Sequence, residues 1–193
     1  MKQQGTAARA AGLAAVATLS LGACAMPYEA DAREIAVYNV VRLHDDALPC
    51  FRGHISTYKE EADFVEHVRG MRSRQCGRTD ILNLDDDELA TFDQYRGEPV
   101  PFKPGEMNTW HTSATRNGDT GVVEVTTVGR GAAGNGFFEA SQTVALCWQI
   151  IVDIPTDTAE PVYDTDTCHP AVMFGSDIME WEQVLAEYEP HWV

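Results

Sequence analysis

The chain has 193 residues, with 14 basic against 30 acidic side chains and a net charge of −16 at pH 7. That balance disfavours nucleic acid and anionic lipid head groups, which are both recognised through cations. The length suits one ordinary domain with a core of its own.

Lys2 and Arg9 give a basic start, and Ala10 to Leu21 is an uncharged apolar run. The run is too short for a bilayer, which needs roughly 20 residues. A charged start, a short apolar region and small residues after it read as a secretory signal peptide. Leu21-Gly22-Ala23-Cys24 closes the run. This tetrapeptide resembles the bacterial lipobox, in which small residues precede a cysteine that becomes lipidated. The resemblance implies that residues 1–23 are removed and that Cys24 becomes a diacylated N-terminus. The protein would then be held on the extracytoplasmic face of a bacterial envelope. Two acyl chains meet the need for more than one anchoring signal. Ala23-Cys24-Ala25 is also an A-x-A site, where an ordinary signal peptidase would cut after Ala25 and release a free protein.

Residues 24–33 read as the lipidated cysteine and a polar tether, with Pro27 discouraging helix at Met26. Residues 34–193 read as a single extracytoplasmic domain. Without Lys2 and Arg9, 12 basic residues face 30 acidic ones, a net of −18. Such a surface favours solubility and could attract cationic partners or divalent ions.

The pattern from Ala32 to about Asp46 predicts a helix, with Ile35, Tyr38, Val41 and Asp45 at helical spacing. The alternation of Ile35, Val37, Val41 and Leu43 leaves a strand as the alternative. Leu48-Pro49 should end the element. Thr57-Tyr58-Lys59-Glu60 is a capping box. It opens an amphipathic helix through Ala62, Val65, Val68 and Met71 to about Ser73. Arg69, Arg72, Arg74 and Arg78 at its end complement the helix dipole, or form a small anion site. Asp85 to Glu88 caps a short helix over 86–95; a calcium loop lacks its glycine turn and later glutamate. Three prolines make Gly97 to Gly105 a loop.

From Met107 the character turns to β. Thr109–Arg116 and Thr120–Val128 are strand candidates joined at Asn117-Gly118, a hairpin pair that tolerates positive φ at both turn positions. Gly129 to Gly136 reads as a loop. Phe137 to Ile154 is long for one strand and should bend near Ala140-Ser141. Thr156–Thr167 is an acidic loop, and Pro170–Phe174 a last short strand. Asp177-Ile178-Met179-Glu180 opens a C-terminal helix whose stripe is Ile178, Trp181, Leu185 and Tyr188, with Glu180, Glu182, Glu187 and Glu189 on the solvated side.

Setting Cys24 aside leaves Cys50, Cys76, Cys147 and Cys168, an even set without a C-x-x-C pair. In an exported chain these imply two disulfides. Of the three possible pairings, the sequential one, Cys50–Cys76 with Cys147–Cys168, is favoured. Each bond closes about 20–25 residues and contributes roughly 3 kcal/mol in the chain-entropy model. Cys147, between Leu146 and Trp148, could instead be a buried thiol.

Catalytic motifs are scarce. Gly129-Arg130-Gly131-Ala132-Ala133-Gly134 fits G-x-G-x-x-G, but a dinucleotide site needs a helix after it, and strand is predicted there. No two histidines stand at i, i+4. A zinc site from His111, His169 and Asp166, or a Ser-His-Asp set using Ser113 or Ser141, would have to be assembled by the fold. No cofactor is implied. The expected fold is α+β: N-terminal helices packed on an antiparallel β-meander, with a C-terminal helix. The expected role is non-catalytic binding of a protein, peptide or small apolar ligand. The alternative is an extracytoplasmic hydrolase with a site near His111 and His169.

Overall fold

A single helix, α1 (Ala7–Ile55), leads the chain. The computed structural model describes residues 7–59, 63–71, 76–85, 88, 106–135, 137, 139–170, 172–173 and 175–188, with residues 7–26 by their backbone alone. Ala32, Ala36, Val37, Val40, Val41, His44, Ala47, Leu48, Phe51 and Ile55 are all buried. They recur every three or four residues and form the stripe that meets the sheet. The stripe is rotated from the expected one: Ile35 is 41% exposed and Asp45 faces solvent.

Pro27 and Pro49 both lie inside α1, so the expected stop at Leu48-Pro49 does not occur. A proline in a helix interior costs about 3 kcal/mol. Leu48, Phe51 and Ile55 are buried around it, each contributing roughly 1.5–3 kcal/mol. Tertiary burial outweighs the lost hydrogen bond. The packed body also begins earlier than the tether reading expects. Ala32 is buried, and Arg33 pairs with Glu187 at 2.7 Å and Asp177 at 2.5 Å.

Helix α2 (Phe64–Gly70) is capped by Asp63, which accepts from the Glu66 N–H at 3.0 Å. Thr57 is not its cap. The Thr57 hydroxyl donates to the His54 carbonyl at 2.7 Å and closes the end of α1. Arg69 pairs with Glu66, and Arg78 pairs with Asp80 while lying 4.7 Å from the Trp110 ring centre. Both arginines have acidic partners, which argues against an anion site; Arg72 and Arg74 lie outside the described residues. Asp85 and Glu88 cap each other's backbone N–H groups at 3.0 and 2.8 Å. The rest of the expected 86–95 helix and the 97–105 loop also lie outside the described residues.

The sheet contains β1 (Asn108–Asn117), β2 (Thr120–Gly134), β3 (Glu139–Asp153), β4 (Thr158–Tyr163) and β5 (Asp177–Met179). The first four form an antiparallel meander in chain order, while β5 pairs in parallel with Val144–Leu146 of β3, beyond the end of β4. Helix α3 (Trp181–Tyr188) follows. The architecture is α+β, as the element order implies.

Several local expectations are corrected. The β1–β2 turn is Gly118-Asp119, because Asn117 pairs with Thr120. Only Gly118 takes a positive φ, 60°, which suits a turn with glycine first. The β2–β3 register is unbroken from Thr120↔Asp153 to Gly134↔Glu139, so β3 has no bulge near Ala140. The irregularity falls between His111 and Ser113 in β1. The acidic 156–167 segment contains β4, an edge strand that tolerates Pro161. Residues 170–174 form no strand among those described; the last strand is β5. Asp177 therefore begins a strand, and α3 starts at Trp181.

Gly129 to Gly134 is strand, not loop. A Cβ on Gly129 would lie 2.2 Å from the Ala36 carbonyl oxygen, and one on Gly131 only 1.9 Å from that of Ala32. These glycines have no side chain because helix backbone occupies that space. Gly121, on the same face, is covered by the Phe64 ring.

Both faces of the sheet are covered. The larger core joins α1, α2 and α3 to Val123, Val125, Val144, Leu146, Trp148, Ile150 and Val152. The opposite face holds Trp110, Val128 and Ala145 under Ile81 and Val172. In α3 the fully buried residue is Val184, with Met179 just before it; Trp181 and Tyr188 pack partly. Ile178 is 38% exposed and takes no part in a helical stripe.

Candidate functional site

Helix spacing puts His44 on the buried stripe of α1, where it meets strand β4 and helix α3. The residue is 5% exposed. Nδ1 lies 3.1 Å from an Asp45 carboxylate oxygen and Nε2 lies 3.0 Å from the Tyr163 hydroxyl. A carboxylate only accepts, so Nδ1–H donates to Asp45 and Nε2 accepts from Tyr163. This is the neutral tautomer. Burial lowers the His44 pKa, opposed by Asp45. Tyr163 is pushed up to about 12, chiefly by burial and then by the Asp45 charge.

Aromatic rings enclose the pair. His44 lies 4.8 Å from Trp148 and 4.5 Å from Trp181, centre to centre. Tyr163 stacks on Trp181 at 4.9 Å with planes 6° apart. Beside them opens a cleft of about 300 Å³ lined by Cys147, Tyr163, Asp164, Thr165, Glu180, Trp181 and Glu182. Its lining combines two aromatic rings with three acidic residues. At neutral pH the histidine is neutral and the tyrosine protonated, so His44 Nε2, as an acceptor, holds the Tyr163 hydroxyl. Aromatic rings beside carboxylates suit a positively charged group.

The two disulfides are the sequential pair, Cys50–Cys76 and Cys147–Cys168, with Cα separations of 5.0 and 5.1 Å. The second pins the 165–167 turn beside the cleft. Cys147 is therefore not a thiol. Cys24 lies on the α1 backbone, eight positions before the buried Ala32.

The histidines singled out from sequence do not form a site. His111 is fully buried, with Nε2 2.8 Å from the Cys76 carbonyl and Nδ1 without a partner. Burial lowers its pKa to about 4. It packs against Phe51 and has no access to a substrate. The His169 carbonyl closes the turn at Val172. Asp166 donates its backbone N–H to Asp164 within its own turn. Among the described residues, His111, His169 and Asp166 do not gather as metal ligands; the three-donor group is Cys50, His54 and Cys76, with its sulfurs bonded to each other. Ser141 faces Arg130. The G-x-G-x-x-G match lies on a strand that enters a hairpin, without the helix that phosphate binding needs.

His44, Tyr163 and Trp181 were not anticipated as a group. The available signal was a histidine inside an apolar stripe. No family model, no curated protein and no solved structure matches the chain. Among the described residues, no helix is long and apolar enough to cross a membrane.

Proposed function

We propose that this is a membrane-anchored extracytoplasmic lipoprotein with a non-catalytic binding role, held by a diacylated Cys24. The observation that carries the reading is cysteine parity. Four of the five cysteines pair in two disulfides, and the one left over follows Leu21-Gly22-Ala23. Disulfides suit an oxidising compartment, and the remaining cysteine stands where a lipobox needs it. The binding site in this reading is the His44–Tyr163–Trp181 cleft, and its ligand carries an amine or guanidinium. The hydrolase alternative, a site near His111 and His169, draws no support from the geometry: His111 is fully buried, and among the described residues the two histidines do not gather as ligands.

Fractionation of the producing bacterium tests the anchor. The wild type should sediment with membranes, and Cys24→Ser should not yield an acylated, membrane-bound mature form. Equal extraction of both proteins without detergent would count against the reading.

A further inference from the structure

We infer that the tip of the β2–β3 hairpin is a second membrane contact, seated beside the lipid anchor through Phe137. The inference rests on the anchor reading above and adds an orientation to it.

The geometry comes from the glycine seam. Ala36 abuts Gly129, and Ala32 abuts Gly131. Four helix residues rise about 6 Å and two strand residues about 7 Å. The two elements therefore climb together, one helix turn for each two strand residues. Continued along α1, this correspondence sets Tyr28 level with Ala133 and Cys24 level with Asn135. Asn135 is the first residue after β2, so the hairpin tip stands at the height of the lipidated cysteine.

A cleft agrees with that placement. Tyr28 and Glu29 share its lining, about 450 Å³ in volume, with Phe137, Glu139 and Ser141. Phe137 is 92% exposed, the most exposed of the large hydrophobic residues described. An exposed phenyl ring level with two acyl chains has a lipid surface as the apolar partner able to cover it. Tyr28 is of the type favoured at the head-group level. Glu29 and Glu139 lie alongside, so the surface that fits is zwitterionic, not anionic.

The test uses the full-length lipoprotein, matured in a bacterial host and reconstituted into phosphatidylcholine vesicles, with or without brominated acyl chains. Phe137→Trp adds a fluorophore at the tip. Val162→Trp places one on β4, level with Gln149, ten residues along the sheet from Glu139 and so about 33 Å from the tip. The added emission at 137 should shift to the blue and fall roughly twofold or more with brominated lipid, as expected for a side chain buried about 5–10 Å into the interface. Emission added at 162 should be unaffected. Vesicle-bound protein with an unquenched Trp at 137, or with equal quenching at both positions, overturns the inference and leaves the anchor standing. Protein that fails to float with vesicles and carries no acyl mass on Cys24 overturns both.

Discussion

Replacing Gly131 by alanine adds one methyl group where, among the described glycines, the space is smallest. The new Cβ would sit 1.9 Å from the Ala32 carbonyl oxygen and 2.7 Å from the Ala36 nitrogen. Both are helix backbone, so no side chain can swing aside. Relief requires α1 to lift by more than an ångström. Overpacking of this kind costs about 1–3 kcal/mol. Lifting also weakens contacts made by Ala32, Ala36 and Val40, all now fully buried. We expect Gly131→Ala to cost about 3 kcal/mol, and a domain of this size to lose roughly 6–12 °C in melting temperature. Gly53→Ala is the control. Gly53 lies in the same helix, and a Cβ there would meet nothing within 4 Å. Alanine should therefore stabilise by roughly 0.5–1 kcal/mol through helix propensity. Urea unfolding followed by circular dichroism measures both. Equal stability of Gly131→Ala and wild type would refute the direct packing of α1 on the glycine backbone.

Three further outcomes follow from the packing and the cleft. His111 has a folded pKa lowered to about 4, against 6.5 unfolded, so the unfolded chain binds the extra proton. Stability should therefore be intact above about pH 6.5 and decline towards pH 4 by up to about 3 kcal/mol; His111→Gln should flatten that part of the urea-midpoint profile, and an unchanged slope would contradict the assignment. Truncation after Gly175 removes Met179 and Val184, both fully buried, and should cost at least about 3 kcal/mol, whereas an unchanged thermal midpoint would make α3 a free arm. Trp181→Ala should weaken binding of an oligolysine peptide in calorimetric titration by a factor of about 5 or more, the loss of roughly 1 kcal/mol from one aromatic face; unaltered binding would remove the cleft from the proposal.

The elements with strong local signals were legible in the sequence. β1 and β2 announced themselves as strand runs on either side of Asn117-Gly118, and an even set of four cysteines without a C-x-x-C pair pointed to the two disulfides found. The misreadings share one cause, contacts made across the chain. Pro49 forbids a helix locally, but the burial of Leu48, Phe51 and Ile55 enforces it. Gly129 and Gly131 resemble a loop until the helix that fills their missing side chains is in place. The Thr156–Thr167 acids looked like a solvated turn because an edge strand needs only one buried face; in β4 that face carries Ala159 and Tyr163. The candidate site was the least legible part. His44 stands 119 residues before Tyr163, and neither they nor Trp181 lie in a recognisable motif.

The anchor at Cys24 is the central claim, and intact mass spectrometry of the protein extracted from membranes tests it most directly. The expected product is a chain that begins at Cys24 and carries a diacylglyceryl group, with all four remaining cysteines oxidised. A product that begins at Met26, without lipid, would contradict it.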